Sequence, residues 1–509
     1  MKLNRLIEGL DVISISGDSL QEISSVCYSA DTCEESALFV AVTGLKHDGH
    51  DYIAQAIDRG ACCVVHEKDI KTSSNVTAVK VTNSRRALGI LARNYFRNPS
   101  AQLCLIGVTG TNGKTTTTYF LESILNQDGY KCGVLGTVNY RYNNKIFPAP
   151  NTTPESYEMQ KILRTMADEG ITHVIAEVSS HAIDLRRIDD CDFDLGIFTN
   201  LSHEHLDYHL TMENYFQAKK RCFTEVLSQS KKVLPQKIVI NGDDKWGQSI
   251  LKDVTLPSLS YGMEENNVVR AENYELSLSG IKAVINLAGE NISIQTPLVG
   301  KFNIYNILAA VAAAKALQIS STSIKAGIEN LSYVPGRLER IDSSSGFTIL
   351  VDYAHKPDAL KQVLQNLVEF KKKKIITVFG CGGNRDHGKR PLMGEAATTF
   401  SDLTIVTSDN PRLEDPLAII AEIEAGIDQG KIQKKSPDNL QLNNGAHSYT
   451  VIPDRRKAIE TAISVAQKED IILIAGKGHE DYQILGTDKV PFDDRVVVKQ
   501  TLESGSCLN

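Results

Sequence analysis

Short, continuous apolar runs alternate with stretches of helical spacing along most of this chain. Residues 37–42 and 62–65 are apolar runs, and residues 52–59 between them repeat apolar positions at helical intervals. That alternation predicts a small α/β domain over residues 1–100. A second series opens at residues 103–108 and recurs at 173–178, 195–199 and 237–240, with helical patterns between. Uninterrupted apolar runs suit strands buried on both faces, so a central domain, 101–336, is expected to be a parallel sheet with crossover helices. A third alternation has strand candidates at 347–351, 375–379, 403–407 and 471–475 and predicts a C-terminal Rossmann-like α/β domain over 337–509. Val334, Pro335, Gly336 and Arg337 mark the boundary as a turn-forming hinge. Residues 429–449 are polar, rich in Lys, Asn and Gly, and read as a surface excursion; no internal repeat is present.

Length and composition sharpen this picture. A chain of 509 residues exceeds what one core supports, since cores stop growing near roughly 250–300 residues. A net charge of −7 argues against a nucleic-acid surface, which calls for a basic domain, but leaves room for a basic pocket around a small anion. The ten cysteines have no regular spacing and no C-x-x-C pair, and read as reduced, buried thiols. The opening residues contain no apolar signal-peptide core, and no run reaches transmembrane length. A monomer in the cytoplasm, without membrane insertion, is therefore expected.

The chemistry begins where the first strand of the central domain ends. Thr109, Gly110, Thr111, Asn112, Gly113, Lys114, Thr115 and Thr116 lie between that strand and a helical stretch at 117–126. Glycines let backbone N–H groups approach phosphate oxygens, and a helix N-terminus adds partial positive charge. Lys114 adds a full charge, and Thr115 offers a hydroxyl to Mg²⁺. The strict Walker spacing asks for glycine at position 108, where Val108 stands, so the loop is the shorter G-x-x-G-K-T form. The central domain is thus a P-loop ATPase domain in outline.

Two further strand ends carry polar clusters. Glu177 closes its strand, followed by Val178, Ser179, Ser180 and His181. The next strand runs into Asn200, Leu201, Ser202, His203, Glu204, His205, Leu206, Asp207, Tyr208 and His209. Ligands of open parallel sheets bind at such carboxyl ends. Oxygen-rich sites with an occasional imidazole suit Mg²⁺ beside phosphates, and a zinc site lacks its cysteines here. Solvated loop residues are the plainer alternative.

These motifs resemble the Mur ligase family over essentially the whole chain. The phosphate loop resembles that family's ATP loop, and the segments at 177–181, 200–209 and 212–219 resemble its central signatures. The resemblance implies an ATP-dependent ligase that forms an amide through an acyl phosphate. It implies a second Mg²⁺ held by Glu177, His205 and a carbamylated Lys219; an ordinary surface lysine is what the residues alone suggest. It further implies nucleotide contacts from Asn303, Asn306, Arg337 and Asp352, with the third domain closing about the hinge. Alone, each Asn or Asp reads as a cap or turn residue.

Two regions point to the branch. Asn151, Thr152, Thr153 and Pro154 resemble the segment that holds UDP-MurNAc-L-Ala-D-Glu, together with Ser29, Ser179 and Arg187. Asp409, Asn410, Pro411 and Arg412 resemble the motif that selects the added amino acid. Meso-diaminopimelate ends in a second carboxylate that a guanidinium binds bidentately, whereas L-lysine ends in an ammonium that Arg412 repels. Arg385, Gly476 and Glu480 are expected in the same pocket. The chain departs from the family at Tyr28-Ser29-Ala30, where Asp-Ser-Arg is usual, and at Asn384, where Asp is common. An L-lysine-adding ligase, a folylpolyglutamate-type ligase and a P-loop nucleotide switch are the competing readings.

Overall fold

The computed structural model describes residues 1–44, 47–71, 75–234, 236–440 and 447–505. The chain divides into two compact units, one of residues 1–272, 285–292 and 305–328, the other of 273–284, 293–304 and 329–509.

The first unit contains two sheets. The smaller runs Val12–Ser16, Thr77–Val81, Ala61–His66, Ala37–Val40, Ser25–Cys27, parallel except at its first pair. Leu38, Val40, Cys63 and Val65 face one apolar cluster and Ala37, Phe39 and Val64 the other, which is why these runs lack polar alternation. The cysteine expectation needs one correction: Cys27 and Cys33 are joined as a disulfide. They flank a single 3₁₀ turn, Ala30–Thr32, that returns the chain on itself, a proximity invisible in their spacing. The other seven described cysteines are free thiols.

The larger sheet is parallel from Ser258–Gly262 through Lys237–Asn241, Leu195–Phe198, Cys104–Thr109 and His173–Glu177 to Cys132–Leu135. An antiparallel hairpin, Tyr140–Tyr142 and Lys145–Phe147, extends it. Cys104–Thr109 is flanked by His173–Glu177 on one side and Leu195–Phe198 on the other. The chain therefore leaves this strand to build the sheet in both directions, and the crevice at its carboxyl end is the topological switch point.

The second unit is built on Glu339–Ile341, Thr348–Asp352, Ile471–Ala475, Ile375–Phe379, Leu403–Val406, Ser448–Val451 and Gln433–Lys434, in that spatial order. All but the first pair are parallel, and apolar clusters cover both faces. The polar stretch at 429–449 is not wholly an excursion, because Gln433–Lys434 pairs with Ser448–Val451 as an edge strand; residues 441–446 lie outside the described residues. No helix among the described residues is long and apolar enough to cross a membrane.

Candidate functional site

The phosphate loop follows Cys104–Thr109 and feeds helix Lys114–Gln127. Gly110 has φ +145° and Gly113 φ +87°, and a Cβ at either would collide with Thr199 Oγ1 or Asn306 Oδ1 respectively. Both positions therefore require glycine. The loop is tied to the neighbouring strand end: Thr111 N–H donates to Asn200 O (2.8 Å), Asn112 N–H to Asn200 Oδ1 (2.9 Å) and Thr199 Oγ1 to Asn112 O (2.7 Å). Lys114 Nζ donates to Gly110 O and Thr111 O, both at 2.8 Å. Thr115 and Thr116 are buried in the first helical turn.

Lys219 comes from helix Met212–Arg221, which Thr211 caps. Its side chain is only 1% exposed, and Nζ donates to Gly110 O at 2.9 Å. Burial, reinforced by the nearby Lys114 charge, holds its pKa well below the usual lysine value. Tyr215, one turn earlier, lies under this ammonium at 4.9 Å and meets Thr111 Oγ1 through its hydroxyl at 3.1 Å. Its ring also stacks on His209 (5.2 Å) and lies 5.9 Å from His205. His205, with φ +56°, packs edge-on against His181 at 4.8 Å. Burial lowers the pKa of His181 and His209.

Glu177, also 1% exposed, accepts from Thr137 Oγ1 at 2.8 Å and from Thr137 N–H at 3.1 Å. Thr152 Oγ1 lies 3.1 Å from Thr137 Oγ1, and Thr153 Oγ1 donates to Glu177 O at 2.8 Å. Ser179 N–H donates to Thr153 Oγ1 (3.0 Å), while Ser179 Oγ caps helix Ser180–Asp184. Arg187 reaches Thr153 O at 3.2 Å and pairs with Glu155 at 2.8 Å, and Glu155 also pairs with Arg85 at 3.3 Å. Tyr140 O–H donates to Asn151 O at 2.5 Å. The structure thus gathers Asn151, Thr152, Thr153, Ser179 and Arg187 around Glu177. Ser29 heads the turn between Cys27 and Cys33, its carbonyl accepting from Thr32 Oγ1 at 2.9 Å. Sequence reading missed Thr137 and Glu155, of which Glu155, directly after Pro154, had a positional signal; Tyr215 lies within the 212–219 signature but was given no role of its own.

In the second unit, Asp409 to Arg412 follow strand Leu403–Val406, and Gly476 to Glu480 follow Ile471–Ala475. Glu480 Oε2 accepts from Asn410 Nδ2 at 3.0 Å and from Lys477 Nζ at 2.9 Å. Lys477 is fully buried and lies 3.7 Å from Asp409. Asp409 Oδ1 is shut from solvent with no hydrogen-bond donor. Gly476 has φ +111°, and a Cβ there would lie 3.3 Å from Asp409 Oδ2. Arg412, at φ +54°, donates from Nη1 to Gly383 O at 2.9 Å. Arg385 is exposed on the facing loop.

The nucleotide candidates are divided between the two units, Asn306 in the first and Asn303, Arg337 and Asp352 in the second. Asn306 faces Gly113. Asn303 Nδ2 donates to Val299 O at 2.8 Å. Arg337 lies 5.1 Å over the Tyr353 ring. Both Asp352 oxygens accept backbone N–H groups, from Leu338 and Ala354 at 2.8 Å each, so this carboxylate holds the hinge turn in place. Burial raises its pKa. Among the described residues, no group of three or more His, Cys, Asp or Glu is placed to hold a metal.

Comparison with known proteins agrees with this geometry. Residues 22–96 match the Mur ligase family catalytic domain, 108–314 the Mur ligase middle domain and 336–478 the Mur ligase glutamate ligase domain. The chain is 46% identical over 495 residues to a UDP-N-acetylmuramoyl-L-alanyl-D-glutamate–2,6-diaminopimelate ligase of Geobacter metallireducens, covering 97% of each. It is 41% identical to the protein of the same name from Geobacillus thermodenitrificans, covering 99% of each. A solved structure of a ligase of that name superposes with a TM-score of 0.71 at 30% identity, covering 99% of both chains. A Mycobacterium tuberculosis folylpolyglutamate synthase shares the fold at 17% identity and a TM-score of 0.59, over 77% of this chain and 92% of its own. With three α/β domains matched end to end and a phosphate loop beside a buried lysine, this chain belongs to the Mur ligase family of ATP-dependent, amide-bond-forming ligases.

Proposed function

We propose that this chain adds meso-2,6-diaminopimelate to the D-Glu carboxylate of UDP-MurNAc-L-Ala-D-Glu, in the cytoplasmic assembly of peptidoglycan precursors. The observation that carries the ligase reading is Lys219 buried on the phosphate loop, which a nucleotide switch does not need. The names of the relatives and the Arg412 pocket support the choice of amino acid.

A carboxylate is a poor electrophile, so ATP first transfers its γ-phosphoryl group to the D-Glu oxygen, giving an acyl phosphate and ADP. The diaminopimelate amine then attacks the carbonyl carbon, phosphate leaves with the C–O bonding pair, and the amine loses a proton. The protein contributes position and charge. Lys114 exchanges its two loop carbonyls for β- and γ-phosphate oxygens. Thr152, Thr153, Ser179 and Arg187 orient the UDP-sugar peptide beside Glu177. Asn410, Glu480, Arg385 and Arg412 hold the zwitterionic ends of diaminopimelate.

Mg²⁺ fits beside Thr115, whose hydroxyl opens the helix after the loop. A second ion would be held by Glu177, His205 and a carbamate on Lys219, an oxygen-rich set; burial lowers the Lys219 pKa, which favours the neutral amine that takes up CO₂. Bound there, the metal would offset phosphate charge during transfer.

The test is phosphate release from ATP with Mg²⁺ and UDP-MurNAc-L-Ala-D-Glu, with diaminopimelate or L-lysine added in parallel and the product weighed by mass spectrometry. A tripeptide formed only with diaminopimelate is expected. Product only with lysine overturns the role of Arg412, and release that ignores both amino acids and the UDP-sugar overturns the proposed reaction.

A further inference from the structure

The loops that carry Arg385 and Arg412 are stitched to each other by groups outside the proposed reaction. Gly383 N–H donates to Asn410 O at 2.9 Å, and Leu413 N–H donates to Asn384 Oδ1 at 3.1 Å. Asn384 N–H in turn donates to the Glu414 carboxylate. Arg390, fully buried on helix Lys389–Phe400, lies 2.8 Å from Glu414 Oε2 and also donates to Gly382 O at 3.3 Å. Its other nitrogen meets Glu422 and His387, each at 3.0 Å. Asn384 N–H and the Arg390 guanidinium hold the Glu414 carboxyl below its ordinary pKa.

Three details show that this clamp sets side-chain geometry rather than merely closing a surface. Asn384 and Arg412 both sit in the left-handed region, at φ +52° and +54°, which asparagine adopts readily but arginine keeps only where the surroundings enforce it. The two arginines converge over Gly382, where a Cβ would lie 2.9 Å from Arg412 Nη1 and 3.8 Å from Arg385 Cγ. Glu414 bridges the Asn384 loop and the Arg390 helix, whereas Glu422 meets Arg390 and His387 on the far side of the guanidinium.

We infer that Glu414, clamped by Arg390, is a positioning residue that fixes the spacing of Arg385 and Arg412 and so selects an amino acid with a carboxylate at its far end. The inference rests on the reading that these arginines face diaminopimelate. A misplacement of about 1 Å in such a site can lower the rate as much as a hundredfold, so a loosened loop is readable in kinetics.

The experiment measures KM and kcat for diaminopimelate, ATP and UDP-MurNAc-L-Ala-D-Glu, and the diaminopimelate-to-lysine ratio, in Glu414→Ala, Glu414→Gln, Glu422→Ala and Arg412→Ala. Glu414→Ala is expected to raise KM for diaminopimelate about tenfold and erode selectivity, with KM for ATP and the UDP-sugar within about twofold. Glu414→Gln, which keeps an oxygen for Asn384 N–H, falls between it and the parent, and Glu422→Ala leaves the KM near the parent value. Equal effects of Glu414→Ala and Glu422→Ala, or a lowered Tm with unchanged KM, overturn the inference. Should Arg412→Ala leave KM for diaminopimelate unchanged, the pocket reading itself fails; should it raise KM while Glu414→Ala does not, only the clamp fails. If Glu414→Ala does not fold, Glu414→Gln carries the test, and an unchanged KM and diaminopimelate-to-lysine ratio there overturn the inference.

Discussion

Burial to 1% exposure, with the Lys114 charge nearby, holds the Lys219 pKa well below that of a surface lysine. A lowered pKa favours the neutral amine of Lys219, the form that is nucleophilic toward CO₂. In ¹³C-bicarbonate a carbamate resonance is expected that is absent from Lys219→Ala, and a spectrum identical in both proteins would sink the carbamate. Lys114 differs, since its amine already lies on two loop carbonyls that phosphate oxygens would replace. Lys114→Ala should lower turnover by about a thousandfold while the UDP-sugar still binds, as charge stabilisation of transferring phosphate is lost. Phosphate release and a calorimetric titration check the two halves. At this scale the sequence reads identity well and partnership poorly. Glu177 is visible as a strand-end carboxylate, but Thr137, which orients it, lies 40 residues away and carries no motif of its own. Asp352 reads as a nucleotide ligand only because the resemblance places it there, while its oxygens serve the backbone of the hinge turn.

Elements are more legible than residues wherever burial is two-sided. The runs at 103–108, 173–178 and 375–379 form central parallel strands because both faces are covered, which removes the polar alternation that would blur them. The hairpin Tyr140–Tyr142 and Lys145–Phe147 escapes such a reading, since its second strand is exposed at every position and offers no apolar run. The same physics hides Gln433–Lys434, an exposed edge of two residues. The phosphate loop is legible because its constraint is steric: only glycine tolerates φ +145° at position 110 with Thr199 pressed against it. Gly110→Ala should accordingly displace the strand end at Thr199 and weaken ATP binding by about tenfold or more, at roughly 1–3 kcal/mol of backbone strain. Fluorescent nucleotide titration reads this, and unchanged affinity would mean that the loop yields freely.

At the scale of the whole molecule, stability should carry a pH signature from one carboxyl group packed against helix Ser84–Tyr95 in the first unit. Asp190 Oδ2 is shut from solvent with no hydrogen-bond donor, pressed so closely by helix Ser84–Tyr95 that a Cβ on Gly89 would collide with it. Burial, with Asp189 second, raises its pKa from 3.8 to about 7, against a partial pull downward from Arg93 and Arg86. The folded state then keeps a proton that the unfolded chain has already released across that interval. Protein that binds more protons when folded loses stability as pH rises, so this contribution is full below about pH 4 and gone by about pH 7. The loss amounts to roughly 2–4 kcal/mol, taking each unit of pKa as about 1.4 kcal/mol and discounting for partial solvent access. Carboxylates held below their ordinary pKa, such as Glu414 beside Asn384 N–H and Arg390, act in the opposite sense, so the parent's net pH profile is a sum of both. Asp190→Asn isolates the one contribution: an amide cannot ionise, and its nitrogen can donate where the carboxylate has no donor to accept. The Tm of the variant relative to the parent should rise from about pH 4 to about pH 7 and level off above it, and a difference that stays constant from about pH 5 to about pH 7 would show that Asp190 is solvated and titrates like any surface aspartate.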